Sequence, residues 1–179
     1  MSIDGEGDLI ALRGVGEVVA LTLRAMAAAV RPGVTTAELD AVGAAVFRQH
    51  GARSAPQLIY NFPGVTCISV NDEAVHGIPG PRRLLPGDLV KLDVTAERDG
   101  YFADAAVTVG VPPVTHQVAR LIAVAEAALR RGIDVTRAGR PVNEIGRAVE
   151  RVVRRGGFGV LPELTGHGVG RHIHEPPPV

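Results

Sequence analysis

The sequence predicts an α+β fold in which one α/β unit is used twice. Three observations carry this expectation. Two pairs of apolar helices, each a long helix followed by a shorter amphipathic one, occupy the start and the later part of the chain. Between them, alternating strands flank Asp99-Gly100, a hairpin signal. Finally, Arg31-Pro-Gly-Val-Thr-Thr-Ala-Glu-Leu is echoed by Arg137-Ala-Gly-Arg-Pro-Val-Asn-Glu-Ile, each joining a long helix to a short one. Chance similarity between two Ala- and Val-rich helix pairs is the competing explanation of that echo.

The first helix is expected over residues 9–30, with apolar residues at Leu9, Leu12, Val15, Val19 and Leu23 near a 3.6-residue period. Pro32 and Gly33 end it. Thr35 with Glu38 forms a capping box that opens a second helix to His50, with Gly51 as its C-cap. A loop-rich stretch through Pro63 and Gly64 follows, then a short strand over residues 67–70 and a turn at Asn71-Asp72. Pro86-Gly87-Asp88 is a turn, and the hairpin strands are expected over residues 89–96 and 101–109. Helices are expected over residues 114–131 and 142–155, the second closed by Gly156-Gly157, with a short strand over residues 158–161. Each unit then reaches a His loop, His76-Gly-Ile-Pro or His174-Glu-Pro-Pro. The first unit continues into the hairpin, whereas Val179 falls where a second hairpin would begin. Residues 1–179 are therefore expected to form a single domain whose second half lacks its last strands.

Composition narrows the function. With 179 residues, the chain can bury a sizeable core. Apolar residues make up 46% of it and aromatics only 3%, so small side chains must fill that core. Nineteen basic residues balance nineteen acidic ones, which argues against a general nucleic-acid binder. Residues 1–7 carry Asp4 and Glu6 but no early Lys or Arg, unlike a secretory signal. The longest apolar stretch, residues 18–30, is too short to span a bilayer and contains Arg24. The single cysteine, Cys67, permits no internal disulfide. Together these features predict a cytoplasmic protein.

Two segments carry chemistry. If the hairpin is symmetric about Arg98 and Asp99, Asp93 faces Asp104 across it, with Cβ atoms roughly 5 Å apart. Two carboxylates that close repel unless a proton or a hard cation lies between them. Against this stand two alternatives: exposed polar residues at a sheet edge, or a bulge at Gly100 that shifts the register. The second segment is Gly166-His-Gly-Val-Gly-Arg-His-Ile-His, where three histidines within eight residues suggest metal or catalytic work. His172 and His174 would share a face in an extended segment. On its own, His76 in a Gly/Pro loop reads as surface decoration, and Cys67 as a small buried hydrophobe. No Gly-x-Ser-x-Gly elbow, Walker A loop or His-Glu-x-x-His helix is present.

Taken in order, four segments resemble the type I methionine aminopeptidases. They are Cys67-Ile-Ser-Val-Asn-Asp-Glu-Ala-Val-His-Gly-Ile-Pro, Gly87-Asp-Leu-Val-Lys-Leu-Asp-Val-Thr, Asp99-Gly-Tyr-Phe-Ala-Asp and Gly166-His-Gly-Val-Gly-Arg. Pro32-Gly-Val-Thr-Thr-Ala-Glu-Leu fits as well, and the match covers nearly the whole chain. The resemblance implies the pita-bread fold, with two pseudo-symmetric α/β halves around a mainly antiparallel sheet and the second half incomplete here. It implies two divalent metal ions (Co, Mn, Fe or Zn) held by two Asp, one His and two Glu, of which Asp93, Asp104 and His167 match the first three. The two Glu of the family lie beyond a second Pro-Gly turn, and one is its usual general base. Glu163 and Glu175 match neither position, so these 179 residues alone are expected to turn over poorly.

The implied reaction removes N-terminal methionine from nascent proteins whose second residue is small. Metal-activated water attacks the first peptide carbonyl, His174 stabilises the oxyanion, and His76 contacts the backbone on the leaving-group side. Phe62 and Cys67 match residues lining the methionine pocket, which Ile59 and Ile173 would loosen where many relatives carry aromatics. Implied partners are nascent N-termini and, transiently, the ribosome, with no stable nucleic-acid or membrane complex and a monomeric chain. The alternative is a catalytically inactive pita-bread fragment or binding module, against which the intact Asp93, Asp104 and His167 argue. Proline-specific relatives usually add a large N-terminal domain, and type II enzymes an inserted helical segment. Neither is evident in this sequence.

Overall fold

The computed structural model describes residues 3–179 and divides them into two compact units. The first runs to Val114 and takes in Val169–His174, and the second is Thr115–Gly168 with Glu175–Val179.

In the first unit, α1 (Glu6–Ala29) starts ahead of its apolar run. The Asp8 carboxylate accepts the N–H groups of Asp4 (2.8 Å) and Gly5 (3.1 Å), satisfying donors that a helix N-terminus otherwise leaves unpaired. The buried stripe is Val15, Val18, Val19, Thr22, Leu23 and Met26, while Leu9 is exposed. Thr22 tolerates burial because its hydroxyl donates to the Val18 carbonyl at 2.8 Å. The expected capping box opens α2 (Thr36–His50): Glu38 N–H donates to Thr35 Oγ1 (3.1 Å), and Thr35 N–H donates to Glu38 Oε2 (2.7 Å). Gly51, in the left-handed conformation at φ 66°, closes it.

The stretch expected to be irregular instead holds β1 (Arg53–Ser54) and a short helix, α3 (Ala55–Tyr60). Ser54 caps α3 by accepting the Gln57 N–H at 3.2 Å, Pro56 sits in its first turn, and Asn61 ends it at φ 52°. Ser54-x-x-Gln57 was the available sequence signal.

Three further strands follow: β2 (Cys67–Val70), β3 (Leu89–Arg98) and β4 (Tyr101–Gly110). All pairings in the sheet are antiparallel, and β3 is its centre, with β4 along one edge and β1 and β2 sharing the other. Alternation along β3 sends Val90, Leu92, Val94 and Ala96 into a core that includes Val15, Val18, Leu23, Met26, Leu39 and Phe47. Complete burial of a side chain such as Leu92 contributes about 2 kcal/mol. Lys91, Asp93, Thr95 and Glu97 project to the opposite face.

The second unit contains α4 (His116–Val135), capped by Thr115 through the Val118 N–H at 3.2 Å, and α5 (Asn143–Arg155). The strand expected over residues 158–161 does not form. Among the described residues no ladder partner pairs with it, and an isolated strand has nothing to satisfy its backbone. Within the unit, Gly168 and Glu175 form a bridge, exchanging N–H···O bonds at 2.9 and 2.8 Å, and Gly166 and Val179 exchange a second pair at 3.2 and 2.9 Å. Among the described residues, no helix is long and apolar enough to cross a membrane.

Candidate metal and active site

The hairpin places the two expected carboxylates on one face but not directly opposite each other. Asp99 and Gly100, at φ 55° and 83°, form a two-residue turn with both central residues left-handed, as type I′ geometry requires. Arg98 therefore pairs with Tyr101, Asp93 with Ala106, and Thr95 with Asp104. The expected centre was one residue too early. Asp93 and Asp104 are diagonal neighbours, still within reach of each other. Thr95 Oγ1 donates to Asp104 Oδ1 at 2.9 Å and orients it.

Burial, then the Asp104 charge and a hydrogen bond between the two carboxyls, push Asp93 well above the usual carboxylate range. Glu97, on the same face, differs because Arg53 Nε neutralises it at 2.6 Å and the Gly100 N–H donates to it at 2.8 Å. Cys67 pairs with Asp93 across β2 and β3. Burial first, and then the charges of Asp93, Asp104 and Asp40, push its thiol up to about 12. It therefore stays protonated at neutral pH, which suits a lining residue and not a nucleophile or thiolate ligand.

His76 is held in a left-handed conformation at φ 58°, unusual for a residue with a Cβ. The next residue explains its placement. A Cβ on Gly77 would lie 2.2 Å from the Ile68 carbonyl oxygen, so only glycine allows this loop to lie against β2. There Ile68 N–H donates to Gly77 O (2.9 Å), and Gly77 N–H donates to Ser69 Oγ (2.9 Å). Phe62 is half-buried just beyond α3, its N–H donating to Pro56 O at 3.2 Å.

Residues 170–174 form a series of bends, so the extended geometry expected to align His172 with His174 is absent. The segment is tied to the rest of its unit instead. Phe102 N–H donates to Gly170 O at 2.7 Å, and Arg171 bonds both Asp8 Oδ1 (2.8 Å) and the Tyr101 hydroxyl (2.6 Å). Tyr101 also donates to Asp8, and this bond is the main reason the Asp8 carboxyl falls to about 2. His174 Nδ1 lies 2.9 Å from the Tyr60 hydroxyl. In the second unit, His167 Nδ1 lies 3.1 Å from the Gly168 carbonyl oxygen.

Asp93, Asp104, Thr95 and Cys67 are thus brought together, and His174 is brought to Tyr60. Among the described residues, no three or more His, Cys, Asp or Glu gather into a metal-sized group. The oxygen donors nonetheless fit a hard divalent cation, which would relieve the repulsion that raises Asp93.

Comparison with known proteins decides the family. The model of metallopeptidase family M24 matches residues 11–179. This chain belongs to metallopeptidase family M24. Among its M24 relatives, "Methionine aminopeptidase 2" of Bacillus subtilis is 43% identical over 178 residues, covering 99% of this chain and 72% of that protein. A methionine aminopeptidase of Staphylococcus epidermidis is 40% identical over 178 residues, 99% of this chain and 71% of that protein. The crystal structure of methionine aminopeptidase from Rickettsia prowazekii superposes with a TM-score of 0.94 at 35% identity, covering 99% of this chain and 72% of that one. The M24 fold extends to the prolidase from Pyrococcus furiosus, with a TM-score of 0.85 at 21% identity over 98% of this chain and 51% of that one, a likeness of fold alone. The expected pita-bread fold and the expected family are both borne out.

Proposed function

We infer that this chain is a metal-dependent aminopeptidase that removes N-terminal methionine from nascent proteins with a small second residue. The observation that carries the chemistry is the Asp93–Asp104 pair, two carboxylates on one sheet face, of which Asp93 is pushed well above the usual carboxylate range by burial and by Asp104. Its relatives named methionine aminopeptidase support the substrate. The catalytic domain spans residues 1–179, and Asp93, Asp104 and His167 are the metal ligands within it.

Divalent ions bound there (cobalt, manganese, iron or zinc) supply Lewis acidity and an activated water. The chain's own residues supply the rest. Asp93 and Asp104 provide anionic oxygens, and Thr95 fixes the orientation of Asp104. His174 donates a hydrogen bond to the oxygen of the attacked carbonyl as it gains charge. His76 contacts the substrate backbone on the leaving-group side, while Phe62 and Cys67 line the methionine pocket, where a neutral thiol suits a thioether. The protein works in the cytoplasm as a monomer, transiently near the ribosome, without a stable nucleic-acid complex.

The test is methionine release from Met-Ala-Ser and Met-Pro-Ala with each of the four metals, by this chain alone and with a relative's remaining segment appended after Val179. Metal-dependent release from Met-Ala-Ser that Asp104→Asn abolishes is expected. Preference for Met-Pro-Ala would transfer the reading to the proline-specific branch. Folded protein with no release in any metal, in either form, would overturn it.

A further inference from the structure

We propose that Tyr60, at the end of α3, is a positioning residue for His174: its hydroxyl donates to Nδ1 and so holds the ring's proton on Nε2. The hydroxyl and Nδ1 are 2.9 Å apart, with the rings tilted at 59° and their centroids separated by 6.3 Å. Both residues are exposed, Tyr60 at 57%, so core packing gives no reason for the pair. The two residues are 114 positions apart, so local chain geometry gives none either. Both partners are nonetheless held in place. Ser54 and Pro56 start α3 and Asn61 ends it immediately after Tyr60. The Phe102–Gly170 bond and the Asp8–Tyr101–Arg171 cluster anchor the other end of the His174 segment, with the Arg171 guanidinium 4.5 Å from the Tyr101 ring centre.

The direction of the bond follows from acid–base chemistry. A neutral imidazole donates from one nitrogen and accepts at the other, whereas a phenol can do either. An imidazole nitrogen is a far better base than a phenol oxygen, and a phenol O–H is a far better acid than an imidazole N–H. Donation from Tyr60 to Nδ1 is therefore favoured, and the proton resides on Nε2. A ring held this way presents one fixed N–H donor. Without the hydroxyl, Nδ1 loses this donor and the proton can exchange between the two ring nitrogens. The catalytic consequence rests on the donor role given to His174 above, whereas the tautomer itself does not.

The experiment records the imidazole nitrogen chemical shifts of isotope-labelled chain at about pH 8, where an unperturbed His is neutral. The His174 signals are identified by their loss in His174→Gln. In the unsubstituted chain we expect an unprotonated Nδ1 and a protonated Nε2, and in Tyr60→Phe intermediate shifts from mixed tautomers. A proton on Nδ1 in the unsubstituted chain, or shifts unchanged by Tyr60→Phe, would overturn the proposal. In the metal-loaded enzyme, Tyr60→Phe is expected to lower kcat about tenfold at unchanged KM, within the range of a misoriented catalytic donor. It should add nothing further to His174→Gln. An equal further loss on that background would also overturn the positioning role. Should His174→Gln leave kcat intact while the shifts respond to Tyr60→Phe, the donor role of His174 fails and the tautomer lock stands.

Discussion

The two helix pairs start from similar local instructions and meet different surroundings. The linkers between α1 and α2 and between α4 and α5 place a left-handed glycine at equivalent positions, Gly33 at φ 86° and Gly139 at φ 81°. Glu38 and Glu144 occupy the first turns of the helices that follow. Yet α1 buries six residues where it packs on β3 and β4, whereas α4 buries only Ala128 and Gly132, and α5 only Ala148. Leu129 and Ile133 on α4 remain 60% and 59% exposed. Amphipathic spacing therefore says which face of a helix is apolar, but a sheet must be present to cover it.

The largest test of that contrast is a pair of leucine truncations. Leu92→Ala should cost about 3 kcal/mol, as deletions from closed cores do, and Leu129→Ala no more than about 0.5 kcal/mol, both read from urea unfolding. Equal losses would mean that α4 is as tightly packed as the β3 core.

The carboxylate pair makes the next largest difference. The folded state raises the Asp93 pKa, so the protonated form favours folding. This contribution is full below about pH 4 and is lost as pH rises toward the folded value. Metal-free protein should thus lose on the order of 5 °C in Tm between about pH 4 and neutrality. Asp93→Asn should flatten that slope, and added manganese should restore Tm at neutral pH in the unsubstituted chain only. A slope that survives Asp93→Asn would place its origin elsewhere.

Helix caps give a smaller contrast. Thr35→Ala removes the hydroxyl that accepts the Glu38 N–H and donates to the Glu38 carboxylate, leaving only the backbone half of the capping box, and should cost about 1 kcal/mol. α5 has no side-chain cap, so Asn143→Ala in its first turn should change stability by less than about 0.5 kcal/mol in the same denaturation assay.

The smallest effect concerns Asp8, whose carboxyl is held at about 2 mainly by the Tyr101 hydroxyl. Its stabilisation is present above the unfolded value, near pH 4, and is lost as pH falls toward 2. Asp8→Asn should therefore lower Tm at pH 6 more than at pH 2. An equal decrease at both would show that its charge contributes nothing.

Much of the fold was legible because its signals are short-range. Thr35-x-x-Glu38 and Gly51 mark the ends of α2, and Asp99-Gly100 marks the hairpin. The same kind of signal, Ser54-x-x-Gln57, also announced α3, which was missed because the surrounding prolines and glycine suggested a loop. Residues 158–161 failed for the opposite reason: a suitable local composition met no partner strand. The carboxylate pair was assigned to the right face with the wrong partners. Centring the turn one residue too early preserves the face, whereas a three-residue loop would have sent Asp104 to the other side.

The sequence by itself determined the helix limits set by caps, the hairpin and the family to which the chain belongs. Only the tertiary structure decided that Asp93 and Asp104 meet diagonally, that Arg53 removes Glu97 from the same contest, and that Tyr60 meets His174. The physical reason is range. Caps and turns act through backbone groups within about four residues of one another, so the sequence displays both partners together. Electrostatic environment and hydrogen-bond pairing across the fold depend on burial and on segments far apart in the chain, which come into contact only when the core forms.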